Sequence, residues 1–311
     1  MLLRRRCDNL DRSDGGSLRA AFVVSVACAL AACTLLTNTD GLNAYVDPQA
    51  NDAAALDALA DVVVNDTGSG TSDAADGKGP LSAAEYAALV ATDTPYGYWR
   101  LADTVGPTAK DEMGTHPGTY GGAPTFGAAG PLAGGTAVQF HGGERMNADS
   151  VVGPVSAWNA MTFELWFSTS LVPGEEGSLF EVAGPKGNDN IAVFIDTPSQ
   201  ALKVKINNAG NTTFTTTPTV LGGMWHHMAL VITATSTILY LDGLSIGGLN
   251  DAGIPTIPVG GLFGVGVDYD YSADAGPIID PGNAYKGRIA EVVLYDHVFA
   301  LERIVAYVVV R

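Results

Sequence analysis

At 311 residues, with 16 Lys and Arg against 33 Asp and Glu, the chain carries a formal net charge of −17. Such a surface repels phosphate backbones, and no basic stripe interrupts it, so nucleic acid is excluded as a partner. The three cysteines stand at 7, 28 and 33, so a domain folded beyond them has no disulfide and must be held by its core alone.

The chain opens with Arg4 to Arg6 and Arg19, then runs without charge from Ala20 to Leu36. A helix crossing a bilayer needs about 20 apolar residues, and this run is only 17 long, with an apolar heart over Ala20 to Ala32. Basic start and short apolar stretch predict an export signal that is removed. Leu30-Ala31-Ala32-Cys33 resembles the bacterial lipobox, where a peptidase cuts before a cysteine bearing diacylglycerol. That resemblance implies a signal peptide over 1–32 and a lipid on Cys33 at the mature N-terminus. It also implies attachment to a membrane surface of the cell envelope, the outer membrane or an extracellular face. An uncleaved anchor and cleavage without lipid are the alternatives. Cleavage removes five Arg and three Asp, leaving −19.

Residues 33–80 are rich in Ala, Gly, Ser and Asp, with eight Asp and one Lys between Asn38 and Pro80. Low hydrophobicity with like charge cannot repay the entropy of ordering, so a disordered acidic linker is expected. Order is expected to begin with a short helix over 81–94, where Ser82 and Glu85 have capping-box spacing and Pro95 ends the run.

From residue 95 to 311 the texture is that of an all-β domain. In "MTFELWFSTS", Met161, Phe163, Leu165 and Phe167 alternate with Thr162, Glu164, Trp166 and Ser168, which predicts a strand with one row in a core. "ALKVKINN" alternates in the same way. Asp242-Gly243 between apolar runs predicts a two-residue hairpin, because a type I′ turn needs positive φ at both positions. Many short strands at turn-separated intervals imply a sandwich or barrel.

The ordered segments "PYGYWRLADTVGPTAKDEMGTHPGTYGG", "AVQFHGG", "MTFELWF", "WHHMALVITATSTILYLDG" and "YKGRIAEVVLYDHVFALERI" resemble laminin-G-like domains of the concanavalin A-like lectin and glucanase superfamily. The resemblance covers Tyr96 to the C-terminus and implies a two-sheet antiparallel jelly-roll sandwich. The family holds lectins, adhesion modules, hydrolases and lyases, so activity must be argued from a site. Two positions depart from its pattern. Ala290-Glu291 stands where the family has an acidic pair, which weakens any metal or structural role there, and Asp103 stands where Glu is common.

No Glu-x-Asp-x-x-Glu arrangement offers the paired carboxylates that retaining hydrolysis requires. Glu175-Glu176 sits in a Pro-Gly loop and reads as a solvated turn. "QFH" at 139–141 resembles a lyase motif but lacks its companion motifs. His226 and His227 are neighbours on a strand and point to opposite faces, so they cannot hold one metal.

The most suggestive stretch is "GVDYDYSADAGPIIDPGNAYKG". Asp268, Asp270 and Asp274 offer oxygens suited to calcium outside any EF-hand pattern. Tyr269, Tyr271 and Tyr285 are expected to present aromatic faces to a sugar ring. A solvated acidic loop with no ligand is the alternative. The expectation is a tethered, non-catalytic binding module, a lectin-like domain for a glycan or surface protein, with calcium its one candidate cofactor. The alternatives are a hydrolase or lyase with an unrecognised site, and a passive envelope protein.

Overall fold

The computed structural model describes residues 81–186, 189–207, 211–250, 254–272, 276–299 and 301–309. The proposed signal peptide, Cys33, the linker and Asp274 lie outside the described residues. Helix α1 (Ala83–Thr92) starts on the expected capping box: the Ser82 hydroxyl accepts the Glu85 amide, and the Glu85 carboxylate accepts the Ser82 amide. These two bonds satisfy backbone donors that a helix start leaves free.

The strands that follow are β1 (Gly97–Trp99), β2 (Thr108–Ala109), β3 (Gly118–Gly121), β4 (Thr125–Ala129), β5 (Thr136–His141) and β6 (Arg145–Asn147). A helical turn over Asp149–Val151 and Val152–Val155 leads into β7 (Ala160–Thr169), β8 (Gly177–Ala183), β9 (Asp189–Ile195), β10 (Ala201–Asn207) and β11 (Asn211–Thr219). Then come β12 (His226–Thr233), β13 (Ser236–Leu241), β14 (Leu244–Asn250), β15 (Leu262–Val265), β16 (Tyr269–Ser272), β17 (Gly276–Ile279) and β18 (Lys286–Tyr295). Helix α2 (Leu301–Val309) follows.

Two large antiparallel sheets face each other. The first runs β14-β13-β12-β7-β18-β5-β4, with β1 also paired to β18, and the second runs β11-β10-β9-β8-β15-β6-β3-β2. Alternate residues of both meet in one core, where Phe163 of β7 stacks on Phe180 of β8 at 3.6 Å between ring centroids. The Asp242-Gly243 hairpin forms as expected, with φ of 49° and 79° at its two turn residues.

The alternation in β7 predicts one buried row, yet both rows are buried. The reason is a third layer. Helices α1 and α2 lie on the outer face of the first sheet, where Tyr86, Val90, Ile304 and Tyr307 cover Trp166, Ala229, Val293 and Tyr295. Glu164 is enclosed with them, accepting a 3.2 Å hydrogen bond from the Tyr295 hydroxyl and standing 3.5 Å from Nε2 of buried His227. Burial, then the Glu164 charge, pushes the Tyr295 hydroxyl well above its ordinary pKa. His226 lies on the other face, part-exposed, with Nδ1 2.7 Å from Asp242.

Glu291 corrects the expectation drawn from the missing acidic pair. It is buried in the left-handed region at φ 52°, at a bulge where β18 slips against β7 between Ala290 and Val293. Its amide donates to the Arg100 carbonyl, and its carboxylate takes the Arg100 guanidinium at 3.1 Å and the Tyr98 hydroxyl. Arg100 also donates to the Ala83 carbonyl at 2.8 Å, tying α1 to β18. One glutamate thus performs a structural role without a partner acid. Burial raises its pKa, against the pull of Arg100. Removing one partner of a buried ion pair leaves an uncompensated charge, so Arg100→Ala should cost about 3–5 kcal/mol in urea unfolding. Adding Glu291→Gln to that variant should recover part of the loss.

Candidate functional site

The acidic stretch singled out in the sequence is not an open loop. Its strands β16 and β17 form a hairpin that folds across the outer face of the second sheet. The Tyr269 amide donates to Glu181 of β8 at 2.7 Å, and its hydroxyl accepts the Asn147 side-chain amide of β6. The ring passes over Gly264 of β15, where a Cβ would stand 2.7 Å from the tyrosine oxygen. Glycine here is what admits the ring.

The expected tyrosine platform therefore needs correction. Tyr269 is 5% exposed, and Tyr285 is fully enclosed against Phe140 in the main core. Neither ring has a free face for a sugar, because each is used to seal apolar surface, and burial raises both hydroxyls. Tyr271 pairs through its backbone with Pro277. Asp268 accepts 2.9 Å bonds from the Asn283 side-chain amide and, at its carbonyl, from the Asp280 backbone. The Asn283 amide also reaches Asp280, so one nitrogen bridges two carboxylates. Asp270 is exposed on β16.

The other carboxylates weighed in the sequence serve the fold. Glu175 pairs with Lys286 at 2.5 Å and accepts the Val172 amide, while Glu176 accepts the Thr197 amide. These bonds give the turn a scaffold that composition does not reveal. Asp103 accepts the Tyr120 hydroxyl at 2.8 Å.

A different site forms at the end of the sandwich where β7 begins and β18 ends. Tyr96, His116 and Trp158 come from three separate segments and are each half-buried. The Tyr96 and His116 rings stack at 4.5 Å and 26°, and Trp158 meets Tyr96 edge-on at 4.8 Å. The His116 ring lies 3.2 Å from the Ser150 hydroxyl, which lines an adjoining cleft of about 560 Å³. Val152, Ser156, Pro258 and the fully exposed Val259 contribute further walls.

Each part is held from beneath. Buried Asp111 accepts the amides of Tyr98, Met113, Thr115 and His116, which shapes the loop that presents the imidazole. The core Trp99 indole donates to the His116 carbonyl at 2.8 Å. Asp149 accepts the Phe263 amide at 2.9 Å, and the Ser156 hydroxyl bonds the Ile257 carbonyl, closing the cleft floor. Gly261 sits so near Val152 and the Ala183 carbonyl that a Cβ would approach within 2.8 Å of both. Burial, then the nearby Asp296, raises the Tyr96 hydroxyl. Sequence reasoning missed this site because its aromatics are 20 and 42 residues apart. The one local signal is Asp111 in "DEMGTH", an acid ahead of several free amides in a turn.

The sequence model of the Concanavalin A-like lectin/glucanases superfamily matches residues 134–305. The mouse "Sushi, von Willebrand factor type A, EGF and pentraxin domain-containing protein 1" is 28% identical over 155 residues, 49% of this chain but 4% of that protein. Its rat counterpart is 27% identical over the same length, so this chain spans a small part of these relatives. Domain 4 of AbnA, an extracellular GH43 arabinanase from Geobacillus stearothermophilus solved with arabinotriose, superposes with a TM-score of 0.53. That match has 16% identity and covers 69% of this chain and 98% of that one. The Trypanosoma rangeli sialidase in complex with 2,3-difluorosialic acid gives 0.51 at 13% identity, covering 68% and 32%. At such identities the superpositions establish shared architecture, and with the match over 134–305 the chain belongs to the concanavalin A-like lectin/glucanase superfamily.

Proposed function

We propose that the folded domain is a non-catalytic binding module that takes a glycan at the end cleft. The observation that carries this reading is the Tyr96–His116–Trp158 cluster, part-exposed and joined to the cleft by the His116–Ser150 contact. Aromatic faces take up the apolar face of a sugar ring, while the Ser150 hydroxyl can exchange hydrogen bonds with sugar hydroxyls. The cleft lining contributes one carboxylate, Asp149, already bonded to a backbone amide. Hydrolysis by the usual route needs two carboxyl groups across the bond, so the lining favours holding a glycan over cutting it. The arabinotriose bound to the arabinanase domain makes arabino-oligosaccharides a first probe.

Trp158→Ala should weaken glycan retention in affinity electrophoresis at least tenfold while moving the melting temperature little, since Trp158 packs at the core's margin. Unchanged retention would remove the cleft from the reading, and release of reducing ends from the probe would turn it toward a hydrolase.

Calcium is proposed for the acidic hairpin. A ligand that binds only the folded state stabilises it by about 2.7 kcal/mol at a hundredfold excess over its Kd. The melting temperature should therefore rise in millimolar calcium and not in Asp270→Asn. A parent protein whose melting is unmoved by calcium would end the proposal. The lipid anchor is likewise proposed, and mass spectrometry of the native protein should find a diacylated Cys33 as the first residue. An unmodified N-terminus elsewhere would refute it.

A further inference from the structure

We infer that the end cleft selects uncharged glycans and turns away those bearing carboxylates, such as uronates and sialates; this rests on the cleft being the glycan site. Three observations carry the inference. First, among the described residues the lining contains Asp149 and no lysine or arginine. Second, a further carboxylate, Asp296, half exposed, stands two residues beyond the Leu294 whose carbonyl accepts the Tyr96 amide.

Third, none of the nearby lysines and arginines whose placement is described belongs to the lining. Lys110, next to Asp111, is paired with Glu112 at 2.7 Å. Arg145 lies along Gly121 on the outer face of the second sheet. Lys186, exposed, follows the Pro185 that packs beside Gly260, so it stands at the rim and not in the lining. His116 and His297 add imidazoles here, not a lysine or arginine. His297 is itself beside Asp296 at 3.0 Å.

A carboxylate on the sugar would thus enter a lining whose described residues supply no lysine or arginine, with two carboxylates, Asp149 and Asp296, close by. Recognition of carboxylates ordinarily uses a guanidinium fork or an ammonium, and the described lining contains neither. Repulsion between like charges several ångströms apart near a protein surface is worth on the order of tenfold in affinity, and it falls as salt rises.

The test starts from a panel of neutral hexose oligosaccharides, whose residues carry a C6 primary alcohol, and takes the one whose retention is lost in Trp158→Ala. Its C6-oxidised uronate form is then measured beside it at pH 7.5. The uronate should bind about tenfold more weakly, the gap should narrow in high salt, and Asp296→Lys should raise uronate affinity severalfold. Uronate binding as tight as or tighter than the neutral parent, still lost in Trp158→Ala, would overturn the charge selectivity and leave the glycan reading standing. If no oligosaccharide is retained in a Trp158-dependent way, both fall together.

Discussion

The Arg100–Glu291 pair is the joint on which the architecture depends. It links the first strand after α1 to the long central strand β18, and through Ala83 it fixes the helix that covers the sheet. Charges are expensive to bury, and the buried Glu291 carboxylate is met by the Arg100 guanidinium and the Tyr98 hydroxyl, while the two backbones share a hydrogen bond. Glu291 makes this pair from within the bulge of β18, with its backbone in the left-handed region. From that bulge onward β18 runs beside β1, and Tyr96 is delivered to the end of the sandwich by the bond of its amide to Leu294. The candidate site therefore inherits its position from an ion pair in the interior.

The outer faces of the two sheets are treated differently, and this decides where a ligand can sit. Two helices cover much of the first sheet, with Trp166, Tyr295 and Tyr307 sealed among them. On the second sheet the β16–β17 hairpin lies over Glu181, Gly264 and Asn147. The aromatic residues that attract notice in the sequence are mostly spent on these covers. The end cleft stays part-open, with three rings meeting above loops tied down by Asp111 and Asp149. A binding surface built on braced loops needs little reordering to take a ligand, which lowers the entropic cost of association.

Several features were legible from residues alone because they depend on near neighbours. The capping box at Ser82 and Glu85 is a contact across three positions. The turn at Asp242-Gly243 follows from the backbone freedom of those two residues. The alternation of Leu202, Val204 and Ile206 with Lys203 and Lys205 is reproduced as a buried row and a half-exposed row. In β7 the same rule marked one row for the core and could not see that helices at both ends of the domain return to cover the other.

The sequence by itself determined the all-β class, the strand periodicity, the helix start and the family, since each is written in local spacing or in the order of motifs. Only the tertiary structure decided which aromatics are exposed. Tyr269 and Tyr285 carry the same side chain as Tyr96, and nothing within a few residues of any of them says which will face solvent. That outcome is set by long-range packing: Gly264 admits one ring, the main core encloses another, and the Leu294 carbonyl holds the third at the rim beside Trp158. Burial is a property of the assembled sheets, so the site had to await them.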